Sequence, residues 1–177
     1  MERIVVLPIR ISFAETVLQI YVAIMGKISK RLRWVIFIVY LLVLIKVILL
    51  KTLKRVGDSP VFYKALQLNQ HYEPANFVPF RTINLLFRQE ASWFVIENIV
   101  GNIVLFIPLG ILLPILIPAF SFLSRVILTA FAVSLAFELI QLIAGLGIFD
   151  VDDLILNTIG GGIGFAVYKK TYQVYTG

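Results

Sequence analysis

Apolar positions along this 177-residue chain gather into long runs, and three of those runs carry polar residues at helical spacing. Trp34 to Leu50 is the first firm run, with Trp34 at an interface and Lys46 near the far end. Trp93 to Pro118 is the second and contains Pro108 and Pro114. Val126 to Ala144 is the third, broken by Gly145-Leu146-Gly147. Asp153 to Val167 or Tyr168 is the fourth, ended by Lys169 and Lys170. Each approaches the ~20 residues needed to cross a bilayer as a helix. The pattern predicts an all-α fold, a polytopic membrane helix bundle with four firm transmembrane helices.

A fifth helix depends on residues 4–25. Their twelve Leu, Ile, Val and Phe residues favour insertion by roughly −4 to −7 kcal/mol, and Glu15 alone takes back about 3. Ser12, Glu15, Thr16 and Gln19 share one helical stripe, so this segment either lies in the interface or spans with the stripe turned inward. Between the first and second firm runs lies a polar connection, residues 51–91. It holds the turn signal Gly57-Asp58-Ser59-Pro60 and the segment Asn76-Phe77-Val78-Pro79-Phe80, suited to an interfacial or re-entrant loop.

Composition agrees with the runs. Hydrophobic residues are 60 % and charged residues 15 % of the chain, with mean hydropathy +0.96, against ~45–50 % and ~25 % in soluble domains. With no cysteine, thiol chemistry and Cys-ligated metals are excluded. The net charge of +6 reads as topology signal and attraction to anionic headgroups rather than nucleic-acid binding. The partner it implies first is the lipid bilayer.

The charges also orient the chain. Lys27, Lys30, Arg31 and Arg33 form a dense hinge, and Arg125, Lys169 and Lys170 fall on the same side. Lys51, Lys54, Arg55, Lys64, Arg81 and Arg88 fall opposite, spread over a longer loop. Short-loop charge carries more of the positive-inside signal, so the hinge and C-terminus are expected in the cytoplasm.

The polar stripes carry the candidate chemistry. Asn98 and Asn102 share a face of the second run, with Glu97 beside them. Ser134, Glu138 and Gln141 make a stripe on the third. Asp153, Asn157, Gly160, Gly161 and Gly164 make one on the fourth, preceded by Asp150 and Asp152. Alternating helix directions bring all the polar ends to one level, the extracytoplasmic one. Gly160 and Gly164 form a small-xxx-small pair that permits close helix packing. Each carboxamide also has a plainer role as interhelical glue at ~0.6–2 kcal/mol. Asp150 and Asp152 read as solvated loop charges or a helix cap. Glu138 lies deep in an apolar helix, where charge is costly without a partner or purpose. Glu138→Gln is therefore expected to be damaging and Asp152→Asn mild. Phe77 and Phe80 read as interfacial anchors, and His71 has no paired base or ligand.

The stretches ENIVGNIVLFIPLGILLP, FELIQ and DVDDLILNTIGGGIGF, preceded by NFVPF, resemble the VanZ-like family of bacterial membrane proteins. The resemblance covers residues 76 to about 168. It carries over Asn76, Pro79, Phe80, Asn98, Phe106, Pro108, Gly110, Glu138, Gln141, Asp150, Asp153, Asn157, Thr158 and Gly160. Many members have an arginine in the loop before the first aspartate; here that loop, Gly145 to Phe149, has no basic residue. The domain division that follows is 1–33 for the N-terminal helix and hinge, 34–172 for the VanZ-like transmembrane domain and 173–177 for a short tail. The resemblance implies a multi-pass cell-envelope protein with an association to teicoplanin-type glycopeptide susceptibility, and it implies no assigned reaction.

Two functions stay open at this point. One is a non-catalytic membrane protein whose outward polar cavity binds an envelope lipid or an amphiphilic cation, using Glu97, Asn98, Asn102, Glu138, Gln141, Asp150, Asp153 and Asn157, with loop contacts from Asn76, Pro79 and Phe80. The other is an enzyme on a lipid-linked precursor with Glu138 and Asp153 as acid and base. No activated Ser, Cys or His constellation is visible, no cofactor or metal is assigned, and catalytic residues are unnamed under the first reading.

Overall fold

The computed structural model describes residues 16, 20, 24, 27–58, 75–81, 83–84, 93–144 and 149–176, with side chains at 49–58, 93–97 and 172–176 left aside. Four long helices make up most of this: α1 (Lys30–Asp58), α2 (Trp93–Leu116), α3 (Leu123–Ile143) and α4 (Val151–Thr176). A 3-10 turn, Pro118–Phe120, joins α2 to α3. Two residue pairs, β1 (Ala75–Asn76) and β2 (Phe149–Asp150), form a minimal parallel ladder with Asn76 opposite Asp150. The fold is all-α. Within it, Asn98–Leu116 and Leu123–Ile143 are long and apolar enough to cross a membrane.

The helix ends differ from the sequence reading in an instructive way. α1 continues through the polar residues 51–58 and absorbs Gly57 and Asp58, which the turn signal had assigned to a loop. α4 passes Lys169 and Lys170 and runs to Thr176. Lys and Arg limit an apolar span but are good helix formers, so charge marks where hydropathy ends and not where the helix does. Conversely, α2 stops at Leu116 short of Pro118. Ile117 is extended (φ −129°, ψ 108°), as the ring of a following proline requires. α3 then starts at Leu123, so Ser124 and Arg125 lie in its first turn; Arg125 Nη1 donates to the Ala119 carbonyl at 2.7 Å. Of the N-terminal segment, Thr16, Ile20 and Ile24 are helical and exposed; Ser12, Glu15, Gln19 and His71 lie outside the described residues.

Successive helices run in opposite directions. Ile36, Phe37 and Tyr40 of α1 pack on Leu112 and Leu116, while Leu44 meets Phe106 and Leu109 further back along α2. Tyr40 also donates its hydroxyl to the Leu105 carbonyl at 2.8 Å, so the phenol buries its ring without stranding its oxygen. The pairs Glu138–Asp150 and Ser134–Asn157 show α3 descending as α4 rises. α2 and α4 are therefore parallel, and among the described elements they share the most extensive contact.

That contact is backbone on backbone. A Cβ added to Gly160 would collide with the Ile103 carbonyl oxygen, one on Gly164 with that of Ile107, and one on Gly110 with that of Gly161. Each would fall inside 3.0 Å, a separation that real Cβ atoms essentially never show. The spacing expected of Gly160 and Gly164 is thus used on α2, and Gly110 answers from the other helix. Gly101, by contrast, has open space around it: a Cβ there would meet nothing within 4 Å.

These surroundings separate two classes of glycine. Gly164→Val or Gly160→Val should lower stability by about 1–3 kcal/mol, the usual cost of overpacking. Gly101→Ala should be neutral or stabilising by up to ~1 kcal/mol through helix propensity. Thermal unfolding of the detergent-solubilised variants reads both.

Candidate functional site

The antiparallel course brings the start of α2, the end of α3 and the start of α4 to one end of the bundle, and the segment around β1 crosses the same end. Asn76, Asn98, Asn102, Ser134, Glu138, Gln141, Asp150, Asp152, Asp153 and Asn157 are all buried there. The hinge, Arg125, Lys169 and Lys170 belong to the opposite end. The molecule therefore has an acidic and a basic pole, as the sequence stripes required.

Three groups of hydrogen bonds tie the elements of the acidic pole together. Asn102 Nδ2 donates to Asp153 Oδ1 at 2.5 Å, joining α2 to α4. Asn157 Nδ2 donates to Ser134 Oγ at 2.8 Å, joining α4 to α3. Glu138, 3 % exposed, accepts the backbone N–H of Asp150 at 2.9 Å through Oε2. Asp150 Oδ1 accepts from Asn76 Nδ2 and from the Asp152 N–H, both at 3.0 Å. This makes Asp150 the N-cap of α4, its side chain holding the N–H two residues on. The aspartates crowd the positive end of the α4 dipole, a placement that stabilises the start of the helix.

Asp152 departs most from its expected place. It is 0 % exposed rather than solvated. Its Oδ1 accepts the Phe80 N–H at 2.5 Å and its Oδ2 the Ile83 N–H at 3.0 Å. One carboxylate thus clamps the strap, residues 75–81 and 83–84, onto the first turn of α4. Gln141 is buried as its stripe predicted, and Glu97 is helical with its side chain outside the described residues. Ser134, which the sequence placed on the stripe but not among site residues, accepts the Asn157 amide and ties α3 to α4. The missed partners are chiefly backbone amides, for which no residue type is a signal.

The strap explains its own sequence. Asn76 Oδ1 accepts the Val78 N–H at 3.2 Å while its Nδ2 holds Asp150. The Arg81 N–H then reaches the Val78 carbonyl at 3.3 Å. The turn has Pro79 at its second position and Phe80 at its third with φ 63°, the arrangement of a type II turn that glycine normally fills. A bulky residue there carries about 1–3 kcal/mol of strain, held by the Asp152 clamp. The Phe77, Val78 and Phe80 side chains point out and are exposed; the Phe77 ring also lies 5.0 Å from that of Phe149.

Comparison with known proteins places this arrangement. The VanZ/LLP1 family model matches residues 37–173. The chain belongs to the VanZ/LLP1 family. It is 32 % identical over 145 residues to Protein VanZ of Enterococcus faecium, spanning 81 % of this chain and 76 % of that protein. No solved structure matches it. The residues that carried the VanZ-like resemblance divide in three dimensions into two groups. Asn76, Asn98, Glu138, Gln141, Asp150, Asp153 and Asn157 meet at the acidic pole, whereas Gly110 and Gly160 form the α2–α4 seam and Phe106 is fully buried in the core. Thr158 joins neither group through its hydroxyl, which bonds the Leu154 carbonyl within α4.

The clamp reverses the expected mildness of Asp152→Asn. An amide can accept only one of the two N–H groups and turns a donor toward the other. The loss should be about 1–3 kcal/mol, the cost of a buried polar group left unpaired. Hydrogen exchange should show Phe80 and Ile83 amides deprotected while the α3 amides hold.

Proposed function

We propose that this VanZ-family chain is a multi-pass membrane protein of the bacterial envelope whose acidic pole faces outward and binds an envelope component. All four long helices span in this reading, and the N-terminal segment supplies a fifth if it crosses. The hinge and C-terminus are cytoplasmic. The observation that carries the proposal is the gathering of buried polar side chains from α2, α3, α4 and the strap at the pole opposite the basic residues. Exposed Phe77 and Phe80 suit the headgroup level beside that pole, where aromatic rings favour the interface. The expected consequence is altered susceptibility to teicoplanin-type glycopeptides, through occupancy or shielding of the envelope component rather than turnover. The described bonds of Glu138 and Asp153 go to scaffold groups, Asp150 N–H and Asn102 Nδ2, so no specific observation favours their use as an acid/base pair.

Orientation is directly measurable because the chain has no cysteine. In intact cells an impermeant maleimide should label Phe77→Cys and spare Arg31→Cys. The reverse pattern would invert the bundle and remove the outward site.

Function is tested by expressing the chain in a susceptible Gram-positive host and measuring teicoplanin inhibition. Wild type should raise the inhibitory concentration. Glu138→Gln should return it to the host value at unchanged membrane abundance, since glutamine still offers an oxygen to the Asp150 N–H while the charge is removed and the other oxygen becomes a donor. An unchanged inhibitory concentration for wild type would refute the susceptibility role.

A further inference from the structure

Among the described residues, two buried side-chain atoms have no hydrogen-bond partner: Arg33 Nε at the basic pole and Asn98 Oδ1 at the acidic pole. Asn98 is 5 % exposed. It lies one turn before Asn102 on the same face of α2. Because α2 and α4 are parallel and Asn102 meets Asp153, Asn98 lies one turn further toward the end of the bundle where α4 starts. It therefore faces the acidic network rather than the bilayer. The groups nearest this level have described scaffold roles: Asp152 holds two strap amides, and Asp150 holds Asn76 and caps α4. A carboxamide buried without a partner loses its hydration and gains nothing in exchange, so an apolar residue would serve packing better.

We infer that Asn98 recognises an amide group on the envelope ligand. Its Oδ1 accepts the ligand N–H and its Nδ2 donates to the ligand carbonyl, the two-point match one amide makes with another. An anion is disfavoured beside the network carboxylates. An ammonium only donates, and so leaves the Asn98 donor unmatched. The amide belongs either to a peptide or to an acetamido sugar, which share this chemistry. The inference rests on the reading of the acidic pole as ligand-facing, and its test uses purified protein so that its failure is separable from failure of the susceptibility role.

The experiment is side-chain amide NMR on the full chain in lipid nanodiscs, labelled with 15N-asparagine, with Asn98 assigned by substitution. The probes are N-acetylalanine methylamide for the peptide source and N-acetylglucosamine for the sugar source, with glucose and ethanolamine as controls. One or both amide probes should shift the Asn98 signal saturably, and the one that acts names the source. Asn98→Leu, read through the Asn102 side-chain signal, should weaken that probe at least ~10-fold, since a site built for hydrogen bonds rejects partners strongly when they go unmatched. The same variant should keep or raise the wild-type melting temperature, whereas Asn102→Leu, which breaks the bond to Asp153, should lower it. A melting loss for Asn98→Leu equal to that for Asn102→Leu would make Asn98 structural glue and overturn the inference. So would a response to ethanolamine or glucose equal to the amide response, or no response to either amide probe. Amide binding with no effect on teicoplanin inhibition would leave this inference standing and remove only the susceptibility role.

Discussion

α2 and α4 touch through their backbones, and the rest of the molecule is arranged around that approach. With Gly110, Gly160 and Gly164 at the crossing, carbonyl oxygens of one helix occupy the space where side chains of the other would stand. Helices in lipid gain little from hydrophobic association, so close van der Waals fit and interhelical hydrogen bonds have to hold them. The seam provides the first and positions the second. It fixes the rise of α4 against α2 so that Asn102 arrives opposite Asp153. α3 then closes over both, placing Ser134 against Asn157 and Glu138 against the start of α4.

Burying several carboxylates at one pole is stable here because each described oxygen contact meets a donor that the fold presents for other reasons. The backbone amides at the start of α4 have no intrahelical acceptors; Asp150 takes one of them, and Glu138 takes the amide of Asp150 itself. The strap amides at Phe80 and Ile83 are similarly free of any ladder, and Asp152 takes both. The same contacts that neutralise the cost of burial also hold the strap in a turn strained at Phe80. The strained turn and Asn98, whose buried side-chain oxygen has no hydrogen-bond partner among the described residues, belong to the same pole.

Much of this was legible from residue order. Period 3.6 put Asn98 with Asn102, Ser134 with Glu138 and Gln141, and Asp153 with Asn157. Alternation of helix direction then sent those groups to one pole. The Gly160–Gly164 spacing announced a close contact before its partner was known. The roles of adjacent aspartates were not legible. Asp152 and Asp153 differ by about 100° around α4, and which one faces a neighbour depends on where the strap and α2 run. Hydropathy likewise located apolar spans but misplaced helix ends at Asp58 and Thr176, because Lys and Arg end a span without unwinding a helix.

The sequence by itself determined the helical class, the apolar runs, the polar stripes, the two charged poles and the family resemblance, since each depends on residue type and local period. Only the tertiary structure decided that Asp152 is a buried clamp, that Gly110 completes the seam and that Ile103 and Ile107 present the carbonyls it packs against. It also decided that Asn98 keeps an unpaired oxygen. Those facts depend on backbone groups, which every residue carries alike. Their partners are set by the relative height and rotation of whole helices, a quantity that no stretch of sequence encodes on its own.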